Sequence, residues 1–234
     1  MSVESTDLSL LPDWLRRELA DRSPDARVPE NRATDRSVHR GYAPRYAYGR
    51  HRGPALRSAH RASVMISLLP GKSGQWQIPL TLRPSQMADH GGQISLPGGR
   101  AESGESDWRT ACREYGEELG CSTEYLQPLG QLSPLYVFAS KHSVTPMVSV
   151  SSLKPKIHPN PDEVAEVIYL SVDQLLSDEC MRIGTLRRGN SEFDAPGFQV
   201  DGHFVWGATA MILGEFREII RRILRNYNTE PWFM

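Results

Sequence analysis

The run from Asp107 to Leu119 constrains this 234-residue chain more than any other stretch. Trp108, Ala111, Cys112, Tyr115 and Leu119 recur at helical spacing and predict a buried face. Ser106 or Asp107 can cap the start by accepting bonds from free amides, and Gly120 supplies a C-terminal stop. Away from the apolar stripe, Glu114, Glu117 and Glu118 stand at i, i+3 and i+4, so their carboxylates converge. Such crowding is unfavourable unless something neutralises it. A hard divalent cation with oxygen ligands does so, and Mg²⁺ or Mn²⁺ suits phosphate chemistry. A solvated acidic face is the plainer alternative for any acidic triplet taken alone.

Around this helix the pattern changes three times. Leu8, Leu11, Leu15 and Leu19 predict a short amphipathic helix near the N-terminus. From Asp21 to Arg61 arginine recurs, proline and glycine interrupt and aliphatic residues thin out, so this segment has no core of its own. It reads either as a solvated extension that wraps the domain or as a basic arm for phosphates or nucleic acid. Residues 1–60 are therefore an N-terminal extension and residues 61–234 a domain. Within the domain, strands are expected over Ser63–Leu69, Trp76–Arg83, Leu129–Val137, Val144–Val150 and Glu163–Leu170, with Pro79 marking an edge or bulge. Ser177 to Gly202 is polar and reads as a loop. Trp206 to Arg225 is a closing helix with Ala210, Leu213, Ile220 and Leu224 facing a core; Trp206 and Phe216 read as core too. Strands mixed with a few helices, without regular alternation, give an α+β class.

A formal net charge of -1 argues neither for nor against nucleic acid. The cysteines, Cys112, Cys121 and Cys180, form no CxxC pair, so neither a zinc site nor a disulfide framework is indicated. No apolar run is long enough to cross a bilayer, and the N-terminus lacks a secretory pattern. A cytoplasmic protein with no membrane partner is the expectation. The N-terminal helix, if exposed, is a candidate surface for a homodimer.

The stretch Gly99-Arg-Ala-Glu-Ser-Gly-Glu105 leading into Arg113-Glu-Tyr-Gly-Glu-Glu-Leu-Gly-Cys121 resembles the Nudix box, Gx5Ex7REUxEExGU. Gly99, Glu105, Arg113, Glu114, Glu117, Glu118 and Gly120 all fall in register. Tyr115 and Cys121 occupy the U positions, where the family usually has aliphatic residues. The resemblance implies an α/β/α sandwich with a mixed sheet and a catalytic loop-helix-loop. It further implies Glu114 and Glu118 as principal ligands of Mg²⁺ or Mn²⁺, Glu117 as a further ligand, and the Gly99 carbonyl as another. Glu105 and Arg113 would orient the site. The base that deprotonates water would be Glu114 or a carboxylate near Glu163.

Upstream, Thr81, Arg83, His90, Gly92, Pro97, Gly98 and Gly99 match the extra motif of the coenzyme A pyrophosphatase branch, LLTxRSxxLxxHxGxxxFPGG. Pro84, Met87 and Leu96 depart from it. Pro159-Asn-Pro-Asp-Glu-Val-Ala-Glu166 and Val205-Trp-Gly-Ala-Thr-Ala210 are also similar to that branch. This implies hydrolysis of coenzyme A or a derivative to 3',5'-ADP and 4'-phosphopantetheine. Arg83, His90 and Arg100 are candidate cations for the extra phosphate, and Gln93 either binds substrate or holds the glycine-rich turn. Two other readings stay open: another nucleoside diphosphate compound, such as a dinucleotide, a nucleotide sugar or capped RNA; or a non-catalytic Nudix-fold module that binds nucleic acid.

Overall fold

Alternation along one strand organises the molecule. In β1 (His60–Pro70), Ile66 and Leu68 enter one apolar cluster while Met65 enters another, so the sheet is buried on both faces. The computed structural model describes residues 7–20, 39, 41–44, 55–56, 58–87, 90–189 and 191–229. The remaining strands of the main sheet are β2 (Trp76–Leu82), β3 (Ile94–Ser95), β4 (Gly98–Arg100), β5 (Leu126–Gln131), β6 (Leu135–Val137), β7 (His142–Ser151) and β8 (Glu166–Ser171). β3, β2, β1, β7 and β5 lie in that order, with β4 paired to β1, β6 to β7 and β8 to β2. β1 and β7 run parallel from His60↔His142 to Leu68↔Val150, and the other pairs are antiparallel. Pro79 lies where β2 has a partner on one side only, opposite Tyr169, as its missing N–H requires.

Helix α2 (Asp107–Leu119) covers one face through Ala111, Tyr115 and Leu119, packed on Met65, Leu126 and Met147. Tyr115 also receives a hydrogen bond from Ser67 Oγ at 2.9 Å. Cys112 and Cys121 pack at the edge of this cluster, and burial raises the Cys112 thiol to about 11. The opposite face carries α1 (Leu11–Glu18), α4 (Gly207–Thr229) and the short α3 (Val172–Leu176). The result is the mixed, α+β sandwich that the sequence led us to expect.

Three expectations are corrected. The N-terminal helix is present, but Leu8, Leu11, Leu15 and Leu19 are buried in the same core as Phe198 and Phe216. Each such burial stabilises by roughly 1.5–3 kcal/mol; no apolar stripe is left on α1 for a second copy. Trp76 Nε1 donates to the Leu8 carbonyl at 2.9 Å and Trp14 stacks on Tyr227, fixing the helix further. Second, much of 177–202 is not a loop. β9 (Met181–Arg188), β10 (Ser191–Val200) and β11 (His203–Trp206) form a separate antiparallel sheet. Its polar composition reflects exposure over part of its length: Ala195, Phe198 and Val200 are buried while Ile183 is 75% exposed. Third, the strand expected over Leu129–Val137 is two strands, β5 and β6.

Most of the arginine-rich segment lies outside the described residues. Two of its described side chains are buried: Tyr42 stacks on Phe198 with centroids 5.4 Å apart, and His39 is 1% exposed. His39 Nε2 lies 2.9 Å from Glu215 Oε2, and Ser133 donates to Glu215 Oε1 from both its N–H (3.1 Å) and its hydroxyl (2.6 Å). Burial alone would raise the Glu215 carboxyl, but the bonds from His39 and Ser133 hold it below its ordinary value. A lowered carboxylate stabilises the fold above its unfolded pKa, and that contribution is lost as pH falls through the folded value. Glu215→Ala should therefore lower the urea unfolding free energy at neutral pH by roughly 2–4 kcal/mol. The difference from the parent protein should narrow below about pH 4.

Candidate active site

α2 starts where Ser106 leaves extended backbone and its Oγ accepts from the Arg109 N–H at 3.3 Å. It stops at Gly120, whose φ of 59° and ψ of 41° lie in the left-handed region. A Cβ there would sit 1.8 Å from the His158 carbonyl oxygen, so conformation and space both require glycine. That closeness has a purpose in the local hydrogen bonding. The His158 and Asn160 N–H groups donate to the Leu119 and Glu118 carbonyls at 2.9 and 3.0 Å, carrying the 158–164 turn over the end of the helix. Within the turn, the Asn160 carbonyl accepts from Glu163 and Val164, and its side chain accepts from Asp162 N–H. The strand expected from Glu163 accordingly begins at Glu166. Glu163 is left in the turn, where its charge acts on both Glu114 and Glu118.

Arg113 ties the acidic groups together, and every N–H of its guanidinium is used. Nε donates to Glu105 Oε1 at 2.9 Å and Nη2 to Glu105 Oε2 at 3.1 Å, a bidentate pair. Nη1 donates to Glu114 Oε1 and Glu117 Oε2, each at 2.9 Å, and Nη2 also to the Arg100 carbonyl at 3.0 Å. Glu105 Oε2 further accepts from the Glu102 N–H and Thr110 Oγ1, each at 2.9 Å. The Arg113 bond and then the Glu102 N–H draw the Glu105 carboxyl down to about 2. Glu105 thus stays ionised and locks the 101–106 loop to the helix.

Glu118 is the reverse case. It is 4% exposed, and burial, reinforced by Glu114 and Glu163, pushes its carboxyl up to about 8 against the pull of Arg83. Thr81 Oγ1 stands 3.5 Å from its Oε2. Burial likewise raises Glu114, with Arg113 opposing and Glu117 and Glu163 adding to the rise. Glu114 occupies the space a side chain at position 99 would need: a Cβ on Gly99 would lie 2.4 Å from its Oε2. Gly99, Glu114, Glu118 and Glu163 therefore share one corner, and Glu117, half-exposed, is held at its rim by Arg113. Among the described residues no three His, Cys, Asp or Glu side chains stand as a closed cation cage; Arg113 draws Glu114 and Glu117 toward itself. The donors nevertheless fit a hard divalent ion: all are oxygens, and the burial and neighbouring negative charge that raise Glu114 and Glu118 are what such an ion offsets.

The candidate substrate residues separate into two kinds. Arg83, at the end of β2, acts electrostatically on Glu118, and its buried Nε has no hydrogen-bond partner. Arg100 is exposed on β4, immediately beside Gly99. His90 and Gln93 instead bond each other, Nδ1 to Oε1 at 2.9 Å, across a turn in which His90 has φ 60° and Gly92 φ 72°.

A family model described as the NUDIX domain matches residues 59–187. The chain belongs to the Nudix family. It is 33% identical over 183 residues to Nudix hydrolase 15, mitochondrial, of Arabidopsis thaliana, covering 74% of this chain and 61% of that one. Over 164 residues it is 32% identical to an uncharacterised Nudix hydrolase, NudL, of Pectobacterium atrosepticum, covering 68% and 84%. Over 162 residues it is 33% identical to the mitochondrial coenzyme A diphosphatase NUDT8 of Homo sapiens, covering 67% and 68%. The chain spans 61% and 53% of the two Arabidopsis relatives it matches, hydrolases 15 and 22. Among solved structures, a Nudix hydrolase from M. Smegmatis, RenU, is similar with a TM-score of 0.47 at 16% identity, over 75% of this chain and 91% of that one. Family membership rests on the sequence matches.

Some parts of this Nudix site were not legible beforehand. Thr110 and Thr81 touch Glu105 and Glu118, and nothing in a threonine's position announces such a contact. Arg61 closed the segment read as an extension, yet its guanidinium donates to the Glu105 carbonyl at 3.1 Å and to Asp107. It supports the Nudix loop from β1.

Proposed function

We propose that this chain hydrolyses the diphosphate linkage of coenzyme A or a derivative, with Mg²⁺ or Mn²⁺, releasing 3',5'-ADP and 4'-phosphopantetheine or its acyl form. The observation that carries the chemistry is the buried Glu118 carboxylate, crowded by Glu114 and Glu163 and faced by Arg83. Glu114 and Glu118 would hold the ion, with Glu117 and the Gly99 carbonyl as further ligands. When bound, it neutralises diphosphate oxygens and lowers the pKa of the attacking water. Arg113 fixes the carboxylates against the Glu105 loop. The charge of Arg83, which faces Glu118, would help to offset that of a diphosphate. Glu163, whose charge acts on Glu118 and Glu114, would take the proton from water; Glu114 is the other candidate base.

The substrate assignment draws on the 81–99 segment and on relatives named as coenzyme A diphosphatases, human NUDT8 and mouse NUDT7. No described helix is long and apolar enough to cross a membrane. The three free thiols suit a reducing compartment. Relatives carry mitochondrial, chloroplastic and peroxisomal names.

One assay tests the reading. Purified protein with Mn²⁺ or Mg²⁺ is incubated with coenzyme A, NADH, ADP-ribose, diadenosine polyphosphates and capped RNA, and the products are identified. Coenzyme A should be cleaved fastest, and EDTA should abolish turnover. Coenzyme A left whole while another compound is cleaved would move the substrate to another diphosphate. Cleavage of none, with salt-dependent RNA binding, would favour a nucleic-acid module.

A further inference from the structure

Side chains along β1 alternate between the two faces of the sheet, and two of them mark the face that α2 covers. Met65 shares a core cluster with Ala111, Tyr115 and Leu119, and Ser67 donates to Tyr115. Arg61 lies at even spacing from both, so it emerges on that same face, close to the first residue of α2. There it meets the loop that joins β4 to α2 at both of its ends. The Arg61 carbonyl accepts from the Ala101 N–H at 2.9 Å, which carries the β1–β4 ladder one residue past Arg100. Its Nη1 donates to the Glu105 carbonyl at 3.1 Å, and its Nη2 to the carboxylate of Asp107.

Little else from the body of the protein holds this loop. Glu102, Ser103 and Gly104 are exposed, and no residue of 102–106 belongs to either apolar cluster. Two of its bonds are internal: the Glu105 N–H donates to the Glu102 carbonyl at 3.3 Å, and the Glu102 N–H to the Glu105 carboxylate at 2.9 Å. Glu105 is where the outside anchors converge. α2 holds its carboxylate through Thr110 and Arg113, whereas Arg61 holds its main chain from β1. Arg113 in turn donates to Glu114 and Glu117. A path from β1 to the acidic corner therefore runs through Glu105 and Arg113, and each step is a hydrogen bond.

The Arg61 side chain is 55% exposed, and such an ion pair contributes little to global stability. Its effect is local. A loop with few buried contacts opens without unfolding the rest of the protein, and groups that orient metal ligands change metal affinity by about 10- to 100-fold.

We propose that Arg61, which lies outside the Nudix box, is a positioning residue for the divalent ion: by fixing the main chain of Glu105 it sets Arg113 and, through it, Glu114. This rests on the reading of the acidic corner as a Mg²⁺ or Mn²⁺ site. The sign of the effect separates positioning from charge. Taking a cation away from the neighbourhood of a divalent ion should, by charge alone, tighten the ion's binding; taking away a positioning group should weaken it.

Calorimetric titration of the whole protein with Mn²⁺ makes the test. Arg61→Met, which keeps the apolar stem, should raise the Kd for Mn²⁺ by about 10-fold or more and melt within about 3 °C of the parent. In metal-free protein, hydrogen exchange at the Ala101, Glu102 and Glu105 amides should quicken by about 10-fold, with the α2 core amides unchanged. Arg61→Lys keeps the charge and donors and should recover part of the affinity. In a Glu105→Gln background, Arg61→Met should shift the Kd by less than about 2-fold, because the step through which it acts is already lost.

Mn²⁺ binding that is unchanged or tighter in Arg61→Met overturns the assignment, whether or not the loop amides exchange faster. Arg61→Lys no better than Arg61→Met, or a full effect in the Glu105→Gln background, overturns it too. A parent protein that binds no Mn²⁺ removes the metal reading itself and the assignment with it. If coenzyme A is left whole while Mn²⁺ binding weakens as expected, the substrate reading fails and the role of Arg61 stands.

Discussion

Glu118→Gln should reduce metal-dependent turnover by about 10³-fold or more, a loss of the size seen when a preorganised electrostatic group is removed. Glutamine keeps the length and an oxygen for Thr81, whose Oγ1 lies 3.5 Å from Glu118 Oε2. What it removes is the negative charge that Arg83 faces and that a divalent ion needs. The fold should not suffer. A buried carboxylate pressed by Glu114 and Glu163 is costly in metal-free protein, so the neutral amide should melt at the parent's temperature or above it in EDTA. Mn²⁺ should then raise the parent's melting temperature, because a ligand that binds the folded state stabilises it, and should raise the variant's much less. Loss of activity together with retained or improved stability in EDTA separates this outcome from a simple folding defect. Near-normal turnover with Mn²⁺ would remove Glu118 from the site.

The helix that carries Glu118 was legible because its signals are local: a 3.6-residue apolar stripe, a serine cap, a glycine stop and carboxylates at i, i+3 and i+4 all lie within one short run. The strands that pack on it were legible for the same reason. Partnerships between distant residues were not. The stripe Leu8, Leu11, Leu15 and Leu19 announces that one face of α1 is buried, but not that Phe198 and Phe216 share its core. His39 and Glu215 meet across 176 positions, and no periodicity joins them. β9 and β10 were hidden by exposure, since an outward Ile183 and inward Ala195, Phe198 and Val200 leave little alternation to read. Within the site, the identities of Glu105 and Arg113 pointed to each other, and their bidentate bond is the geometry those two side chains favour. His90 and Gln93 looked like two candidates for substrate, whereas their mutual bond makes them one turn.

The adjacent glycines of β4 provide the second large effect, and they differ in a way the sequence does not disclose. Gly98 has φ 151°, and a Cβ there would lie 2.3 Å from the Ser63 carbonyl oxygen and 2.5 Å from the Val64 Cα. Those are backbone atoms of β1, paired in register with Gly98 and Gly99, and they cannot yield without breaking the strand pair. Gly98→Ala should therefore destabilise the protein, through strain and a lost ladder, by roughly 2 kcal/mol or more. Gly99 is not held in the left-handed region. The atoms nearest to its added Cβ are the end of the flexible Glu114 side chain, at 2.4 to 2.7 Å from the carboxylate atoms. That carboxylate can swing away at small cost to the fold, but it then leaves Arg113 and the corner it shares with Glu118. Gly99→Ala is thus expected to melt within a few degrees of the parent, about 1 kcal/mol at most, while turnover falls by on the order of 10²-fold. Thermal melts and Mn²⁺-dependent hydrolysis, measured on both variants, check the pair. If Gly99→Ala keeps full activity, Glu114 does not need its present position; if it unfolds like Gly98→Ala, the space beside Gly99 serves packing and not the carboxylate.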